Sequence, residues 1–320
     1  MKITIGIVTF DRIDLLKRAV QSVLVQSYKN FVIYIGNDNP KKKIGFRELG
    51  IKKNNKIKIF NYKKNIGERG NLNNLLRKCK TDFFCWLADD DYLHKDFFKI
   101  LISQFKNNNS LVASYSNYSR AHLKSKQASC KHIHFDQENF LLGFSSKELR
   151  LIGTFGIMKK KYLKKIGGIN KTGKSFKDEG RITHHYPYCD TLIPIMLSKY
   201  GEISWINNRL VHLNTDKSSV SGKTNEYDAY ISSENYLLNS LKNNIKKQIN
   251  KNNYYRIFSN MIDWFVFNRI TIIKKRNSNQ NIKYLITYIK DLFFLSKKRS
   301  LKGSVLFFLV NLVRLLKSIL

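Results

Sequence analysis

Acidic residues are scarce in this chain of 320 residues. It carries 23 Asp and Glu against 58 Lys and Arg, which gives a formal net charge of +35. Such an excess predicts a polyanionic neighbour: nucleic acid, an anionic membrane or a phosphorylated substrate. Lysine-rich usage from AT-rich coding sequence is the alternative explanation. The apolar fraction of 42% and the aromatic fraction of 13% exclude global disorder.

Cysteine is also sparse, and its four positions form neither a CxxC pair nor a regular spacing: Cys79, Cys85, Cys130 and Cys189. This pattern favours buried free thiols in a reducing compartment over a zinc site or a disulfide framework. The first residues resemble a strand rather than a signal peptide, and no apolar run reaches the roughly 18–20 residues that cross a bilayer. The sequence therefore predicts a cytoplasmic protein that can lie on a membrane face.

Strand-like and helix-like segments alternate over the first hundred residues. Apolar and β-branched runs predict strands at residues 3–9, 31–35, 57–62 and 83–87. Apolar residues at helical spacing predict helices at residues 11–25, 70–79 and 96–105. This alternation predicts an α/β fold with a Rossmann-like, mostly parallel sheet. Such sheets bind ligands beyond the carboxyl ends of their strands, where three polar clusters stand, at residues 9–11, 37–38 and 88–91.

The pattern changes after residue 110. We predict a strand at 112–118, a polar loop at 119–136, a charged loop at 171–186, and helices at 162–166 and 190–200. An apolar strand-like run at 151–158 contains Gly153 and Gly156, which predict a bulge or a close approach to a ligand.

Three consecutive carboxylates, Asp89, Asp90 and Asp91, follow the fourth predicted strand. Adjacent carboxylates repel, and each disfavours the charge of the next. A divalent cation removes this penalty, and Mg²⁺ prefers one or two carboxylates together with phosphate oxygens. The triplet therefore favours a metal that bridges the chain to a diphosphate. The alternative is a helix N-terminus, where Asp is favoured as a cap.

Several segments resemble, in order, the motifs of the family 2 glycosyltransferases of the bacterial surface-polysaccharide type, which share the type-A glycosyltransferase fold. The segments are VTFDR at 8–12, AVQSVLVQSY at 19–28, NDN at 37–39, NIGERGNLN at 65–73 and LADDDY at 87–92. The family usually has Asp-Asp-Gly where NDN stands, and L-D-x-D-D as its metal motif. The resemblance covers residues 1–110 well and 150–220 more weakly.

The resemblance implies roles on the donor side of the site. Thr9, Phe10, Asp11 and Asp38 would contact the nucleotide base, although Asp38 also fits a simple turn residue. Asn73 would lie near the nucleotide or order its loop.

The resemblance also implies a Mn²⁺ or Mg²⁺ site. Asp90 would be the main metal ligand, assisted by Asp89 or Asp91, with Asp89 also on the donor side. Ala88 stands where many relatives have Asp, so the metal-binding role of that residue would pass to Asp89. His212 lies in a segment similar to the family's R-x-H-x-x-S region and could complete the metal shell.

Inverting sugar transfer requires a base that removes the proton of the acceptor hydroxyl. The family carries this base as the Asp of a Glu-Asp pair at the start of a helix. Asp190 stands at such a start, with Cys189 in place of the usual Glu. An N-cap role is compatible with this assignment, and Asp178 and Glu179 are the rival candidates.

The last stretch is basic and apolar. Residues 231–320 hold 17 Lys and Arg against three acidic residues, and the basic clusters at 274–276 and 297–299 separate apolar segments. Basic amphipathic helices that do not span lie in the membrane interface, and each Lys or Arg adds roughly 1 kcal/mol near an anionic surface. This predicts a tail that docks on the inner face of the cell membrane. A helical bundle with solvated basic faces is the alternative.

We therefore predict three regions: a nucleotide-sugar-binding half at residues 1–110, an acceptor-binding and catalytic-base half at 111–225, and a basic helical membrane-associating tail at 226–320. The implied function is metal-dependent inverting transfer from a UDP-linked sugar to a glycan or polyprenyl-diphosphate-linked acceptor. O-antigen, capsule or lipooligosaccharide synthesis would be the setting. The alternatives are a basic nucleic-acid-binding protein, which would show a recognition motif, and a nucleotide-sugar-forming enzyme, which would show a Gly-rich phosphate loop near residues 9–14.

Overall fold

The structure, a computed structural model, describes residues 1–120, 132–175, 186–214 and 227–274. In the first half, strands alternate with helices as predicted: β1 (Ile3–Thr9), α1 (Ile13–Leu24), β2 (Phe31–Asn37), β3 (Ile57–Asn61), α2 (Gly67–Lys78), β4 (Phe83–Ala88), β5 (Tyr92–Leu93) and α3 (Phe97–Ser103). The later elements are β6 (Leu111–Arg120), β7 (His132–Phe135), α4 (Gln137–Ser145), β8 (Gly156–Lys159), α5 (Lys160–Lys165), α6 (Cys189–Leu197), a 3₁₀ turn (Ser198–Tyr200), β9 (Glu202–Leu213), α7 (Tyr227–Asn244) and α8 (Lys251–Lys274).

The strands form one sheet with the order β3-β2-β1-β4-β8-β6-β9-β5, and β7 pairs with the other half of β9. The first four positions are parallel, and so is the β6–β9 pair. The later strands β8, β5 and β7 pair antiparallel with their neighbours. The predicted α/β fold is confirmed, and the parallel strands carry the candidate site at their carboxyl ends.

Helices cover both faces of the sheet, because β1, β2 and β4 are apolar on both sides. On one face, α1 and α3 pack over the β1 and β2 isoleucines through buried residues that include Leu16, Val23 and Phe98. On the other face, α2, α4, α6, α7 and α8 surround Trp86 and Tyr115. Burial of strands on both faces is typical of parallel sheets.

Two predictions after residue 110 were wrong in part. The segment 119–136, predicted as a loop, contributes the end of β6 and all of β7, while residues 121–131 lie outside the described part of the chain. The strand-like run at 151–158 forms a strand only from Gly156 onward, because the preceding residues turn beneath α6. A Cβ at Gly153 would lie 1.8 Å from the Asp190 carbonyl oxygen. The glycine is therefore needed for the close approach of α6, not of a ligand.

The part of the tail that the structure describes packs against the rest of the chain. Leu237 and Leu241 of α7, and Ile257, Met261 and Phe265 of α8, are buried in the same core as Trp86. No helix in the described ranges combines the length and the apolar character needed to cross a membrane. The segments from residue 275 onward, including the cluster at 297–299, lie outside the described residues.

Candidate functional site

Three loops meet at the carboxyl edge of the parallel strands, as the sequence predicts. Thr9 pairs in register with Asn37 at the end of β2, and Val8 pairs with Ala88 at the end of β4. The Asp38 amide donates to the Thr9 carbonyl at 3.0 Å. The shared register brings the Thr9 turn, Asp38 and the acidic triplet to one edge.

Asp89 is the buried centre of this edge. Its side chain is fully buried and accepts hydrogen bonds from Thr9 Oγ1 at 2.6 Å and Arg12 Nε at 3.2 Å. Arg12 also pairs with the second Asp89 oxygen and, at 2.9 Å, with Asp90 Oδ2. Burial raises the pKa of Asp89 to about 6, although Arg12 and Thr9 oppose the shift. Arg12 thus offsets part of the negative charge of the triplet.

Asp91 is held by a different partner. Its Oδ1 accepts a hydrogen bond from the Asn214 amide at 2.8 Å. Burial, followed by the charge of Asp90, raises the pKa of Asp91 to about 7. Of the two carboxylates that pair with Arg12, the Asp90 side chain is 13% exposed and the Asp89 side chain is fully buried. Asp90 is therefore the carboxylate best placed to meet a ligand.

His212 lies beside the triplet through strand pairing. It is the register partner of Tyr92 and stacks on that ring, with the centroids 4.7 Å apart. The His212 Nδ1 lies 2.6 Å from Ser119 Oγ, and burial lowers its pKa. Arg18 contacts both Tyr92 and the triplet: its guanidinium lies 5.1 Å from the Tyr92 ring centre and donates a hydrogen bond to the Asp90 carbonyl.

The donor set of the triplet fits a divalent cation that is shared with a diphosphate. Within the ranges described, no group of three or more His, Cys, Asp or Glu is arranged to hold a metal by itself. Mg²⁺ needs only one or two protein carboxylates when phosphate oxygens complete its shell. Burial, and to a smaller extent the neighbouring carboxylates, raise the pKa values of Asp89 and Asp91 although Arg12 opposes both shifts.

A second part of the edge is built from β2 and the start of α2. Asp38 is buried, and its Oδ1 accepts from the Ile66 amide at 2.8 Å, which ties the β2 end to the turn before α2. One turn into α2, the Nε of Arg69 is buried without a hydrogen-bond partner among the described residues. An unpaired buried donor is costly unless a ligand accepts it. Asp11 adopts a left-handed backbone with φ of 58° and pairs with Lys42 at the rim.

Asn73 faces the chain rather than the site edge. Its amide nitrogen donates to the Ile169 carbonyl at 2.9 Å, and its Oδ1 accepts from the Ile169 amide at 2.8 Å. Gly168 has a φ of +68°, and a Cβ there would lie 2.3 Å from Asn73 Oδ1. Asn73 thus ties α2 to the turn that follows α5.

Asp190 stands in the first turn of α6 and is half-buried. Close contact with Gly153 fixes the start of α6 on the 152–155 turn. The neighbouring Thr154 carbonyl accepts from the Trp86 amide at 3.2 Å, and Trp86 lies on the strand that ends in the triplet. Burial raises the pKa of the Cys189 thiol, so this residue stays neutral where the resemblance implied Glu. The rivals Asp178 and Glu179 lie outside the described residues.

Sequence reasoning missed Arg12 and Arg18 as partners of the triplet and of Tyr92. Arg12 and Arg18 lie just before and within the first half of α1, and the partners of Arg12 are 77 and 78 residues away. The sequence carries no local signal for the contacts of Arg12, because they join residues that are far apart in the chain.

Comparison with known proteins adds the family. Residues 4–167 match the model described as Glycosyl transferase family 2. An uncharacterized glycosyltransferase of Rickettsia felis is 29% identical over 138 residues, which are 43% of this chain and 23% of that protein. Another from Rickettsia conorii is 30% identical over 131 residues, which are 41% of this chain and 21% of that protein. The match thus spans less than a quarter of either relative.

Solved structures share the fold. Residues 1–349 of TarS from S. aureus, in complex with UDP-GlcNAc, superpose with a TM-score of 0.66 and 13% identity over 95% of this chain and 83% of that chain. The mannosyltransferase PcManGT from Pyrobaculum calidifontis, in complex with GDP-Man and Mn²⁺, gives a TM-score of 0.51 and 12% identity over 95% of this chain and 78% of that chain.

Proposed function

The chain belongs to glycosyl transferase family 2, and from this premise we propose that it transfers a sugar from a UDP-linked donor to a glycan or lipid-linked acceptor, with inversion at the anomeric carbon. The observation that carries the proposal is the meeting of Thr9, Asp38 and the triplet at one sheet edge. Family membership replaces the nucleic-acid-binding and nucleotide-sugar-forming alternatives.

The donor and the metal are supported by the structural relatives and by the donor set. TarS is described with UDP-GlcNAc and PcManGT with GDP-Man and Mn²⁺. In this chain Asp90 would hold the metal, with Asp89 or Asp91 assisting, and His212 would stand at the edge of its shell. A bound Mn²⁺ or Mg²⁺ would neutralise the charge that develops on the departing diphosphate.

The residues of the chain divide the remaining work. The nucleotide would lie at the start of α2, where Asp38 accepts from the Ile66 amide and Arg69 has a buried Nε without a partner among the described residues. Asp190 would take the proton of the acceptor hydroxyl as its oxygen bonds to the anomeric carbon and the bond to the diphosphate breaks. Arg12 holds Asp89 and Asp90 in place through both ends of its guanidinium.

A donor screen tests this function. The purified full chain is incubated with UDP-, GDP- and dTDP-linked sugars in Mn²⁺, in Mg²⁺ or in EDTA, and nucleotide release is measured. We expect release from a UDP-linked sugar that stops in EDTA. Release at the same rate in EDTA would contradict the role given to the triplet.

We also propose that the chain acts at the inner face of the cell membrane on a surface-polysaccharide acceptor. The support is the charge of +35 and the basic cluster at residues 297–299. Liposomes with and without anionic lipid test this in a flotation assay on the full chain. The triple substitution of Lys297, Lys298 and Arg299 to Glu should weaken flotation with anionic vesicles, because each basic residue contributes roughly 1 kcal/mol near an anionic surface, and unchanged flotation would contradict the proposal.

A further inference from the structure

A buried carboxylate stands behind the helix that carries Asp190. Glu234 of α7 has no exposed surface. The Tyr188 hydroxyl donates to Glu234 Oε1 at 3.2 Å and accepts from the amide of Asn268 of α8 at 2.9 Å. Burial, followed by the charge of Glu234, raises the pKa of Tyr188, so the hydroxyl keeps the proton that it donates. One side chain therefore links both C-terminal helices to the segment before α6.

Tyr188 holds an unusual backbone conformation. It is the N-cap of α6, with a φ of 57° in the left-handed region, where a residue other than glycine costs roughly 1–2 kcal/mol. Its ring packs against Phe265, with centroids 5.2 Å apart, and against Trp264 and Tyr230. The preceding Pro187 carbonyl accepts from the buried Thr172 hydroxyl. These contacts fix a strained turn two residues before Asp190.

Buried charge is a poor way to gain stability alone. Replacing buried ionic groups with apolar residues of similar volume is often neutral or stabilising. A hydrogen-bonded carboxylate instead fixes the orientation of the side chains that donate to it, because these donors must lie at defined distances and angles. Strain held by surrounding contacts is concentrated at functional sites. Tyr230, whose pKa is raised by burial and then by Glu234 and Asp190, lies within electrostatic reach of both carboxylates.

We infer that Tyr188, Glu234 and Asn268 form a positioning triad that sets the direction of Asp190 toward the acceptor hydroxyl. The inference rests on the proposed function, in which Asp190 is the base. The triad makes α7 and α8 part of the catalytic unit, because two of its members come from those helices. In this inference the three are positioning residues, and each acts through Asp190.

Kinetics of Tyr188→Phe and Glu234→Gln test the triad. Both variants keep side-chain shape: Tyr188→Phe removes both hydrogen bonds of the hydroxyl, and Glu234→Gln removes one charge. We expect kcat for transfer to fall at least about tenfold, since misplacing a catalytic group by an ångström costs up to about 10²-fold, while the Kd for UDP changes less than about twofold. The matched control is Tyr254→Phe, which alters a buried tyrosine of α8 that packs on Tyr255 and Phe258. Values of kcat within twofold of the unmodified chain in both triad variants would overturn the inference.

A double-variant comparison separates positioning from general stability. If Tyr188 acts through Asp190, then adding Tyr188→Phe to Asp190→Asn should change the residual rate by less than about twofold. An undiminished tenfold effect in the Asp190→Asn background would show that Tyr188 acts elsewhere and would overturn the inference.

Amide hydrogen exchange gives a readout that does not depend on any sugar transfer. The Leu192 amide donates to the Tyr188 carbonyl at 3.1 Å. We expect exchange at Leu192 to accelerate at least about tenfold in Tyr188→Phe, with the β1 amides unchanged as a check on global stability. Unaltered exchange at Leu192 would overturn the triad while leaving the proposed function intact, so the two can fail separately.

Discussion

Arg12 is the internal counter-charge of the triplet, and its replacement by Met is the sharpest test of the site electrostatics. The Arg12 guanidinium reaches both oxygens of the fully buried Asp89 and one oxygen of Asp90. Met keeps the apolar stem and removes the charge. Removing one partner of a buried ion pair costs about 3–5 kcal/mol. Because the Arg12 side chain is 28% exposed, we expect the lower end of this range, about 3 kcal/mol, at pH 8.

The cost should depend on pH. The pKa of Asp89 is already raised to about 6 in the fold, and loss of Arg12 raises it further, whereas the unfolded chain titrates near 3.8. At a pH between the unfolded and the folded pKa of Asp89, the folded variant binds more protons than the unfolded variant. The stability of the variant is therefore greatest below the unfolded pKa and falls as pH rises through the folded pKa. At pH 5.5 Asp89 is largely neutral, and only hydrogen bonds worth about 1 kcal/mol are lost.

Urea unfolding in EDTA, followed by tryptophan fluorescence, measures the loss of unfolding free energy at pH 5.5 and at pH 8. Arg18→Met is the matched control, because Arg18 is exposed and contacts the Asp90 carbonyl and the Tyr92 ring. It should cost about 0.5–1 kcal/mol at both pH values. A loss below about 1 kcal/mol at pH 8 for Arg12→Met, or an equal loss at both pH values, would refute the reasoning.

Three further predictions concern the base, a turn and the carboxylates. Asp190→Asn should bind UDP normally and lose transfer by about 10²–10⁴-fold; a steady-state assay that finds normal transfer would move the base elsewhere. Gly168→Ala should lower the unfolding free energy by about 1–2 kcal/mol because its φ is +68°, whereas the control Gly70→Ala, inside α2, should not destabilise the fold; equal thermal midpoints for both would contradict this. In EDTA the thermal midpoint of the unmodified chain should fall between pH 5.5 and pH 8, because burial and the charge of Asp90 raise the pKa of Asp91 to about 7, so that its ionisation destabilises the fold; a midpoint that rises would contradict this.

The first hundred residues could be predicted closely because their patterns are regular. The apolar spacing of α1 buries Leu16, Val20 and Val23 on the sheet, and the β-branched run of β1 is buried on both faces. The triplet, Thr9 and Asp38 follow from the rule that ligands bind at the carboxyl edge. The resemblance to the family motifs then suggested a role for each of these residues.

Elements held by distant contacts could not be predicted as well. The four residues of β7 gain strand structure only by pairing with β9, some 70 residues later. α4 was missed although Asp136 caps it by accepting from the Asn139 amide at 2.8 Å. The apolar face of the helix around Met261 suggested a membrane surface, yet in the fold it packs on the core.

The central claim is that Asp90 makes nucleotide-sugar turnover depend on a metal. Its most direct test is Mn²⁺-dependent nucleotide release from a UDP-linked sugar by the full chain and by Asp90→Asn, with circular dichroism to confirm an intact fold. We expect release by the unmodified chain and a loss of at least about 10²-fold in the variant, because an essential ligand of the charge-stabilising ion is removed. Near-normal Mn²⁺-dependent release by Asp90→Asn would contradict it.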